Sequence, residues 1–466
     1  MSCCGPTRRT LLGAMAVATL SSALGAGASR AQRNSLIATD LELVTVTDRS
    51  VIMTWTTVAP DASGQPVPVA SSGAVRVAPV GSAPVTMYES AEPTPFHYAE
   101  ITGLEPGRRY IFEAESEGVR AVSALNPVTL APDAPEVCGE FTTLVPPPGR
   151  LLRTFALGND VHYGETVSGL IVGDFPPGFR SLPDLPPYPE VMLAALLDDL
   201  RAPDRGAQRL ILAGDLTAEA TPSQSRSVRA QLDSWGALGR DYLVARGNHD
   251  RPHTGADYAS CAPATADHRD CFTEFFVPRE ELVQHEIGGL RLLGLDTSEL
   301  DGTGGRIDRP QFDHLTGILT ADPDRPTLIF GHHPVTRTSG ATALAGPGFI
   351  LNASDSTELQ TLYTRAPGVF LHHAGHTHRN LRTRPDTPCD VEFLEVASVK
   401  EYPGGYTLLR IHEGGYMVSF YKTRTPAARQ WSALTRNEYF GLIPAYTLGH
   451  LTDRNHVVHR DFSGLT

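Results

Sequence analysis

The chain has 466 residues, of which 41% are hydrophobic and 20% are charged, and its formal net charge is -13. This length predicts two or three domains, and the composition excludes a disordered or fibrous protein. The negative charge opposes a broad basic surface of the kind that displaces counterions from nucleic acid, so we expect no nucleic-acid surface. The 43 glycines and 37 prolines indicate many turns, and therefore strands and loops rather than a helical bundle.

The first 31 residues are typical of a twin-arginine export signal. Arg8 and Arg9 precede a mildly apolar run, residues 14–28, and small residues follow at a suitable cleavage site. Glycine, serine and threonine dilute this run too much for a stable membrane helix, and no later run is long enough, so we expect no transmembrane segment. We predict a protein exported in a folded state by the twin-arginine machinery, to the cell envelope or the extracellular space.

Four cysteines follow the predicted signal, and an even number favours disulfides in an oxidising compartment. Cys261 and Cys271 flank a short polar loop and form the preferred pair, which leaves Cys138 with Cys389. The other connectivities stay open. The spacing matches neither a zinc site nor a redox motif.

Residues 32–145 are predicted to form a small β-sandwich. Runs of alternating hydrophobicity are separated by turns rich in proline, glycine and serine. Examples of these runs are 41–46, 50–56 and 109–114. Residues 99–110 and 141–143 resemble parts of fibronectin type III modules. The Pro-Pro-Pro-Gly sequence at 146–149 is expected to act as a stiff linker.

Residues 150–425 are predicted to form a layered α/β domain, and residues 426–466 a C-terminal tail whose function is not readable. Compact apolar runs alternate with segments of helical periodicity, as in an α/β layered fold. The candidate strands are 152–157, 210–213, 242–245, 328–330 and 369–371, and the candidate helices are 190–200, 225–238 and 310–319. Polar clusters follow the ends of these strands, where open α/β sheets place their ligand sites.

Five short motifs carry these polar clusters. Each alone would be weak evidence, because such short sequences are common, but the complete ordered set in one domain predicts a shared site. Carboxylate, amide and imidazole ligands without thiolate suit Mn, Fe or Zn in a catalytic site. The motifs are Asp160-Val161-His162, Gly214-Asp215, Gly247-Asn248-His249-Asp250, Gly331-His332-His333-Pro334 and Gly375-His376-Thr377-His378.

This ordered set resembles the signature of calcineurin-like metallophosphoesterases, over about residues 150–425. The resemblance implies a four-layer α/β sandwich and two metal ions, Mn, Fe or Zn, bridged by one carboxylate. It assigns the first ion to Asp160, His162, Asp215 and His378. It assigns the second ion to the bridging Asp215 and to Asn248, His332 and His376.

The same resemblance implies hydrolysis of phosphodiesters or phosphomonoesters by hydroxide generated on the metals. His249 would stabilise charge on the phosphoryl group and protonate the leaving alkoxide, and Asp250 would orient His249. His333, Arg246 and Arg379 are candidate substrate contacts, with structural roles left open for each. The substrate would be a small-molecule or lipid phosphate ester.

Two alternatives are weighed against this hypothesis. A fibronectin-like module before a phosphoesterase domain also resembles purple acid phosphatases, which would make the protein a phosphomonoesterase. Two departures oppose that alternative: His162 stands where the purple enzymes lack a histidine, and Ala218 stands where they have the tyrosine that ligates ferric iron. A non-catalytic binding protein with a vestigial metal site is the alternative of another class, and the complete ligand set opposes it.

Two insertions are candidates for the wall of the substrate pocket, residues 173–189 and 251–286. Long loops at a functional face often set specificity. Surface decoration is the alternative for both insertions.

Overall fold

The computed structural model describes residues 36–124, 134–170, 175–251, 271–276, 282–299 and 302–466. These residues form two compact units. The first unit comprises residues up to 42, Trp55–Ala99 and Arg109–Phe141, and the second comprises Leu43–Thr54, Glu100–Arg108 and Thr142–Thr466. The export signal lies outside the described residues. The domain boundaries drawn from the sequence stay predictions.

The N-terminal region is built from strands, as its alternating sequence predicts. The elements are β1 (Ile37–Val46), β2 (Val51–Pro60), β3 (Pro66–Pro68), β4 (Gly73–Pro79), β5 (Val85–Glu89), β6 (Phe96–Ile101), β7 (Arg109–Ser116), β8 (Val119–Arg120), the short helix α1 (Pro135–Cys138) and β9 (Glu140–Thr142). Strand β2 pairs with β1, β3 and β6 in one sheet. In the other sheet β4 pairs with β5 and β7, and β7 also pairs with β8 and β9.

Trp55 of β2 connects these two sheets. Its indole ring stacks on His97 of β6 at 4.5 Å between ring centroids, and its Nε1 donates to Ser116 Oγ of β7 at 2.9 Å. Because the indole is buried and its N–H is paired, it contributes apolar contact without an unsatisfied donor. The predicted β-sandwich is confirmed.

The α/β region follows. Its strands are β10 (Leu151–Gly158), β11 (Val167–Ser168), β12 (Phe179–Arg180), β13 (Arg209–Ala213), β14 (Tyr242–Ala245), β15 (Val283–Ile287), β16 (Leu290–Leu295), β17 (Thr327–Gly331), β18 (Val369–Ala374), β19 (Leu381–Thr383), β20 (Glu392–Glu395), β21 (Gly405–His412), β22 (Gly415–Lys422) and β23 (Asn455–His459). Its helices are α2 (Tyr188–Arg201), α3 (Pro222–Asp233), α4 (Cys271–Phe275), α5 (Arg309–Ala321), α6 (Arg337–Thr342), α7 (Ala353–Tyr363), α8 (Pro426–Thr435), α9 (Glu438–Gly441), α10 (Pro444–Leu448) and α11 (Leu451–Arg454), with 3-10 turns at Asn248–Asp250 and Pro347–Phe349.

Two six-stranded mixed sheets form the centre of this region. The first has the order β14-β13-β10-β21-β22-β23, in which β10, β13 and β14 are parallel. The second has the order β15-β16-β17-β18-β20-β19, in which β16, β17, β18 and β20 are parallel. The parallel strands of each sheet therefore present their carboxyl ends along one edge.

Helices cover the sheets. On the second sheet, α5 and α7 bury Leu315 and Leu359 in one core with Leu293 and Ile329. On the first sheet, α2 buries an apolar face against β10. The predicted four-layer α/β sandwich is confirmed.

The helix boundaries follow their capping residues. Helix α5 begins after Asp308, whose side chain accepts from the Gln311 N–H, with a proline in the first turn. Helix α3 starts in the same way, because the Thr221 side chain accepts from the Gln224 N–H. The prediction that α3 runs to residue 238 was wrong. The helix ends at Asp233, and the Asp241 carboxylate then accepts from the Ala237 N–H in a separate turn.

The predicted pairing of Cys138 with Cys389 is wrong. Cys389 is a free, half-buried thiol, whereas Cys138 is disulfide-bonded. Cys389 packs against the core of the second sheet, and burial raises the pKa of its thiol. Cys261 lies outside the described residues, as does the side chain of Cys271. Because Cys138 is bonded and Cys389 is free, the pair preferred for Cys261 and Cys271 is compatible with the bond of Cys138 only if its partner is Cys3 or Cys4 of the predicted signal. Among the helices of the described ranges, none is both long and apolar enough to cross a bilayer.

Candidate metal centre

The predicted ligands come together where five strands end. Strands β10, β13 and β14 of the first sheet are followed by Asp160 and His162, by Asp215, and by Asn248. Strands β17 and β18 of the second sheet are followed by His332, and by His376 and His378. Among the described residues three overlapping groups form, each with its ligand atoms within 4.8 Å of one another. The first group is Asp160, His162 and His378, and the second is Asp215, His332 and His376. A third group, His162, Asp215 and His249, shares one residue with each of them.

The first group surrounds Asp160 Oδ1. His378 Nε2 lies 3.2 Å from this oxygen and His162 Nε2 lies 3.8 Å from it. Both Asp160 Oδ1 and His162 Nε2 are buried without a hydrogen-bond partner. Buried polar atoms in native proteins are normally satisfied, so this pair of atoms fits a cation between them.

The second group is centred on His332 Nε2. This nitrogen lies 3.0 Å from Asp215 Oδ2, 3.0 Å from His376 Nδ1 and 3.1 Å from Asn248 Oδ1. Asp215 Oδ2 also lies 3.4 Å from His162 Nε2 of the first group. Asp215 therefore lies within reach of histidines of both groups.

Hydrogen bonds fix which nitrogen each histidine of the second group presents. His332 Nδ1 donates to the Ala213 carbonyl at 2.8 Å, which leaves Nε2 for a metal. His376 Nε2 donates to the Thr303 carbonyl at 2.9 Å, which leaves Nδ1. The ring of Phe349 stacks on His376 with 3.7 Å between centroids and holds the imidazole plane. Such outer partners orient metal-ligating histidines in proteins generally.

The histidines of the first group have carboxylate partners that the sequence did not reveal. His378 Nδ1 donates to Glu401 at 2.5 Å, and His162 Nδ1 lies 3.4 Å from Glu165. The Lys400 ammonium connects them, 2.5 Å from Glu165 and 3.5 Å from Glu401. The sequence signal for these partners was Lys400, because the chain has only two lysines. In the structure Lys400 is buried.

Five of the predicted ligands have left-handed backbone conformations. Non-glycine residues rarely adopt this conformation, and it costs about 1–3 kcal/mol for each residue. In return the chain turns directly after the strand and directs the side chain into the site. The φ angles are 53° for Asp160, 48° for His162, 54° for Asp215, 68° for His376 and 50° for His378.

Gly214 and Gly247 allow two of these turns to approach each other closely. Gly214 has φ +90°, and a Cβ there would lie 2.7 Å from the Gly247 nitrogen. A Cβ at Gly247 would lie 2.1 Å from Asp215 Oδ1. Glycine is therefore required at both positions to keep Asp215 in place.

The charges in the site favour bound cations. Burial acts to raise the pKa of Asp160, but His378, His162 and His332 outweigh it and hold that pKa well below its usual range. Burial acts to lower the pKa of His332, but Asp215 and Asp160 outweigh it and raise that pKa to about 9. The two carboxylates thus draw positive charge into the site, and the donor set fits Mn, Fe or Zn.

His249 lies beside Asp215. Its backbone N–H donates to Asp215 Oδ1 at 2.8 Å, and its Nδ1 donates to the Ala218 carbonyl at 2.8 Å. Its ring centroid lies 4.5 Å from that of His162, and the side chain remains half-buried. Burial lowers the pKa of His249. The Nε2 atom is left available to a substrate.

Asp250 holds the loop that carries His249. Its carboxylate accepts from the backbone N–H groups of Leu216, Thr217 and Gly247 and from the Thr217 hydroxyl. Burial and the neighbouring Asp215 raise the pKa of Asp250 to about 6. Asp250 therefore acts on His249 through the backbone, whereas Ala218 holds the ring.

The three residues predicted to contact the substrate are buried, and this burial does not support a direct contact with a substrate. His333, Arg246 and Arg379 are 0%, 2% and 3% exposed. Each has a protein partner: Thr297 for His333, Asp296 for Arg246 and Glu395 for Arg379. Both insertions predicted to form the pocket wall fall partly outside the described residues.

Comparison with known proteins gives a consistent result. Residues 155–380 match the model of the calcineurin-like phosphoesterase family. A probable cyclic nucleotide phosphodiesterase from Synechococcus sp. is 25% identical over 186 residues, which cover 40% of this chain and 63% of that relative. The chain thus matches less than two thirds of that relative's length.

Two solved structures are similar more loosely. A purple acid phosphatase from yellow lupin (Lupinus luteus) seeds has 16% identity and a TM-score of 0.43, over 93% of this chain and 76% of that chain. A dimetal phosphatase from Danio rerio has 16% identity and a TM-score of 0.41, over 58% of this chain and 96% of that chain.

The segment that matches the family model contains the whole set of predicted ligands. It begins within β10 and ends two residues after His378. All five motifs therefore fall inside it, in the order that the sequence predicted. Residues 155–380 form a calcineurin-like metallophosphoesterase domain.

Proposed function

We propose that the chain is a metal-dependent phosphoric ester hydrolase with a binuclear centre. The observation that carries this proposal is the pair of ligand groups that meet at Asp215. The first ion would be held by Asp160, His162, Asp215 and His378, and the second by Asp215, Asn248, His332 and His376. When bound, two such cations supply Lewis acidity and lower the pKa of water.

His249 is the proposed catalytic residue. Its ring is fixed by the Nδ1 bond to Ala218, and its backbone N–H is held by Asp215. The free Nε2 can donate to a phosphoryl oxygen as charge develops, and can pass its proton to the leaving alkoxide. Asp250 would serve as a positioning residue, because it fixes the backbone on both sides of the loop.

The proposed substrate is a small-molecule or lipid phosphate ester. A probable cyclic nucleotide phosphodiesterase is among the similar proteins, which supports testing a phosphodiester beside a phosphomonoester. A purple-acid-phosphatase-like centre is disfavoured, because Ala218 has no phenol that could ligate a metal. Its carbonyl accepts a hydrogen bond from His249 Nδ1. The formal charge of -13 is compatible with an anionic substrate, since bound cations would supply local positive charge.

The first prediction is metal-dependent turnover. After chelation, restoring Mn, Fe, Zn or Ca singly should return hydrolysis of a chromogenic phosphodiester, a phosphomonoester or both. The ratio of the two rates would assign the ester class. Hydrolysis of neither ester with any of these ions would contradict the proposed function.

The second prediction concerns stability. Because the ligand set is assembled only in the folded chain, a single bound ion at 100 times its Kd should stabilise the native state by about 2.7 kcal/mol. Chemical unfolding with and without Mn²⁺ measures this difference. Asp215→Asn should lose most of the stabilisation, whereas Asp390→Asn, the same change at a 99% exposed side chain, should keep it.

The third prediction separates chemistry from metal binding. His249→Ala should lower kcat by about 10²–10⁴, because proton transfer and charge stabilisation are lost, and should keep both metals. Asn248→Ala should instead weaken occupancy of the second metal. Steady-state kinetics and metal analysis of each variant provide the two readouts. His459→Ala, at an exposed histidine outside the site, is the control, and full activity in His249→Ala would refute the assigned role.

We also propose that the protein is exported, with residues 1–31 as a twin-arginine signal. A fibronectin III-like domain at 32–145 would then precede the catalytic domain at 150–425 and the tail at 426–466. The fourth prediction is that Arg8→Lys combined with Arg9→Lys retains the full-length protein in the cytoplasm, because the paired arginines identify this signal class. Fractionation with an immunoblot measures it, and unchanged export of the variant would contradict the proposal.

A further inference from the structure

The C-terminal tail packs against the segment that follows the metal ligands. Helix α8 makes three hydrogen bonds to residues 400–403, directly beside Glu401. These are Trp431 Nε1 to the Lys400 carbonyl at 2.7 Å, Ser432 Oγ to the Pro403 carbonyl at 2.9 Å, and the Tyr402 N–H to Thr435 Oγ1 at 2.9 Å. The position of Glu401 therefore depends on residues from the end of the chain.

Beyond α8, Glu438 begins a chain of hydrogen bonds that ends at a proposed ligand. Glu438 is 4% exposed, and its Oε1 lies 2.5 Å from Ser168 Oγ. Ser168 Oγ lies 2.6 Å from Glu401 Oε2, and Glu401 Oε1 accepts from His378 Nδ1 at 2.5 Å. Three contacts thus connect the tail to the imidazole of His378.

The number of hydrogen atoms available for the two hydrogen bonds at Ser168 shows which carboxyl group donates. The Ser168 hydroxyl has one hydrogen but lies within hydrogen-bond distance of two carboxyl groups, so one of these groups must carry a proton. Glu401 accepts from His378 Nδ1 at 2.5 Å and lies 3.5 Å from the Lys400 ammonium, so its contacts are those of an acceptor. Burial and the neighbouring Glu401 hold the pKa of Glu438 well above its usual range, although Lys400 opposes this. Glu438 is therefore the neutral acid that donates to Ser168.

The local backbone is strained where it places Glu438. Tyr439 and Phe440 have φ angles of 50° and 62°, in the left-handed region that favours glycine. The Phe440 side chain is 63% exposed, so it contributes little buried apolar surface that could offset this strain. Opposite the turn, a Cβ on Gly169 would lie 2.9 Å from Glu438 Cγ. The turn and the glycine together make room for a carboxyl group at this point.

We propose that Glu438 is a positioning residue for the metal centre. Glu438 holds Ser168, and Ser168 in turn holds Glu401. Glu401 then keeps His378 in the orientation that presents Nε2 to the first metal. This inference rests on the proposed binuclear centre. Partners of this kind usually change metal affinity when they are removed, by 10- to 100-fold. The tail would then be a part of the site rather than a separate appendage.

The fifth prediction is tested by titrating the full chain with Mn²⁺ in a calorimeter. Wild type should bind two equivalents. Glu438→Ala should weaken one equivalent about tenfold or more, the same one that His378→Ala weakens, and should leave the other unchanged. Glu438→Gln should keep both affinities within about twofold, because its amide N–H can replace the donated O–H. A role in packing alone would not separate the two equivalents or be rescued by glutamine.

Two further variants complete the test. Phe440→Ala changes an exposed side chain of the same turn and should leave both affinities unchanged. Ser168→Ala removes the central hydroxyl with the tail in place, and should weaken the same equivalent even if Glu438→Ala fails to fold. A folded Glu438→Ala or Ser168→Ala variant that binds as wild type does would overturn the inference alone. A wild-type chain that binds neither Mn²⁺ nor, in the same titration, Fe²⁺ or Zn²⁺ would overturn the proposed function as well.

Discussion

The burial of two carboxylates is the constraint on which the site depends. Asp160 and Asp215 are 0% and 1% exposed, and a buried charge is costly unless an opposite charge neutralises it. Imidazole nitrogens lie 3.2 Å from Asp160 and 3.0 Å from Asp215, in His378 and His332. Without a bound metal, these histidines can supply the positive charge only when their imidazole rings are protonated. Bound cations would supply the same charge and release those protons, so the fold stabilises positive charge at this point in either state.

The same constraint explains the strained backbone. A ligand that directly follows a strand must turn sharply to reach a common centre, and five ligands do so in the left-handed conformation. The turns hold one another: the N–H groups of Val161 and His162 donate to the Asp215 carbonyl, and the His376 N–H donates to Asp160 Oδ2. Packed sheets behind the turns supply the stability that offsets this strain.

The sequence predicted what depends on local pattern. The five motifs identified the residues that the structure brings together, because each follows an apolar run that could be read as a strand. The position of a residue in the sequence did not show which way its side chain points. His333 adjoins His332, yet its side chain points into the protein and forms a hydrogen bond with Thr297. Strands without a motif were missed, including β16, β21 and β22, and these complete the two sheets. The cysteine pairing failed for the same reason, since spacing along the chain does not give distance in space.

The outer partners of the histidines show the remaining limit of sequence reasoning. Glu165, Ser168, Glu401 and Glu438 come from three separate parts of the chain, and a glutamate or serine in a loop has no distinctive pattern of its own. Only the fold brings them together, through Lys400 on one side and the tail on the other. Motifs therefore identify the atoms that would bind metal, whereas tertiary structure determines which nitrogen each histidine presents and how strongly it is held. The tail lacks a motif because its contribution consists of such contacts.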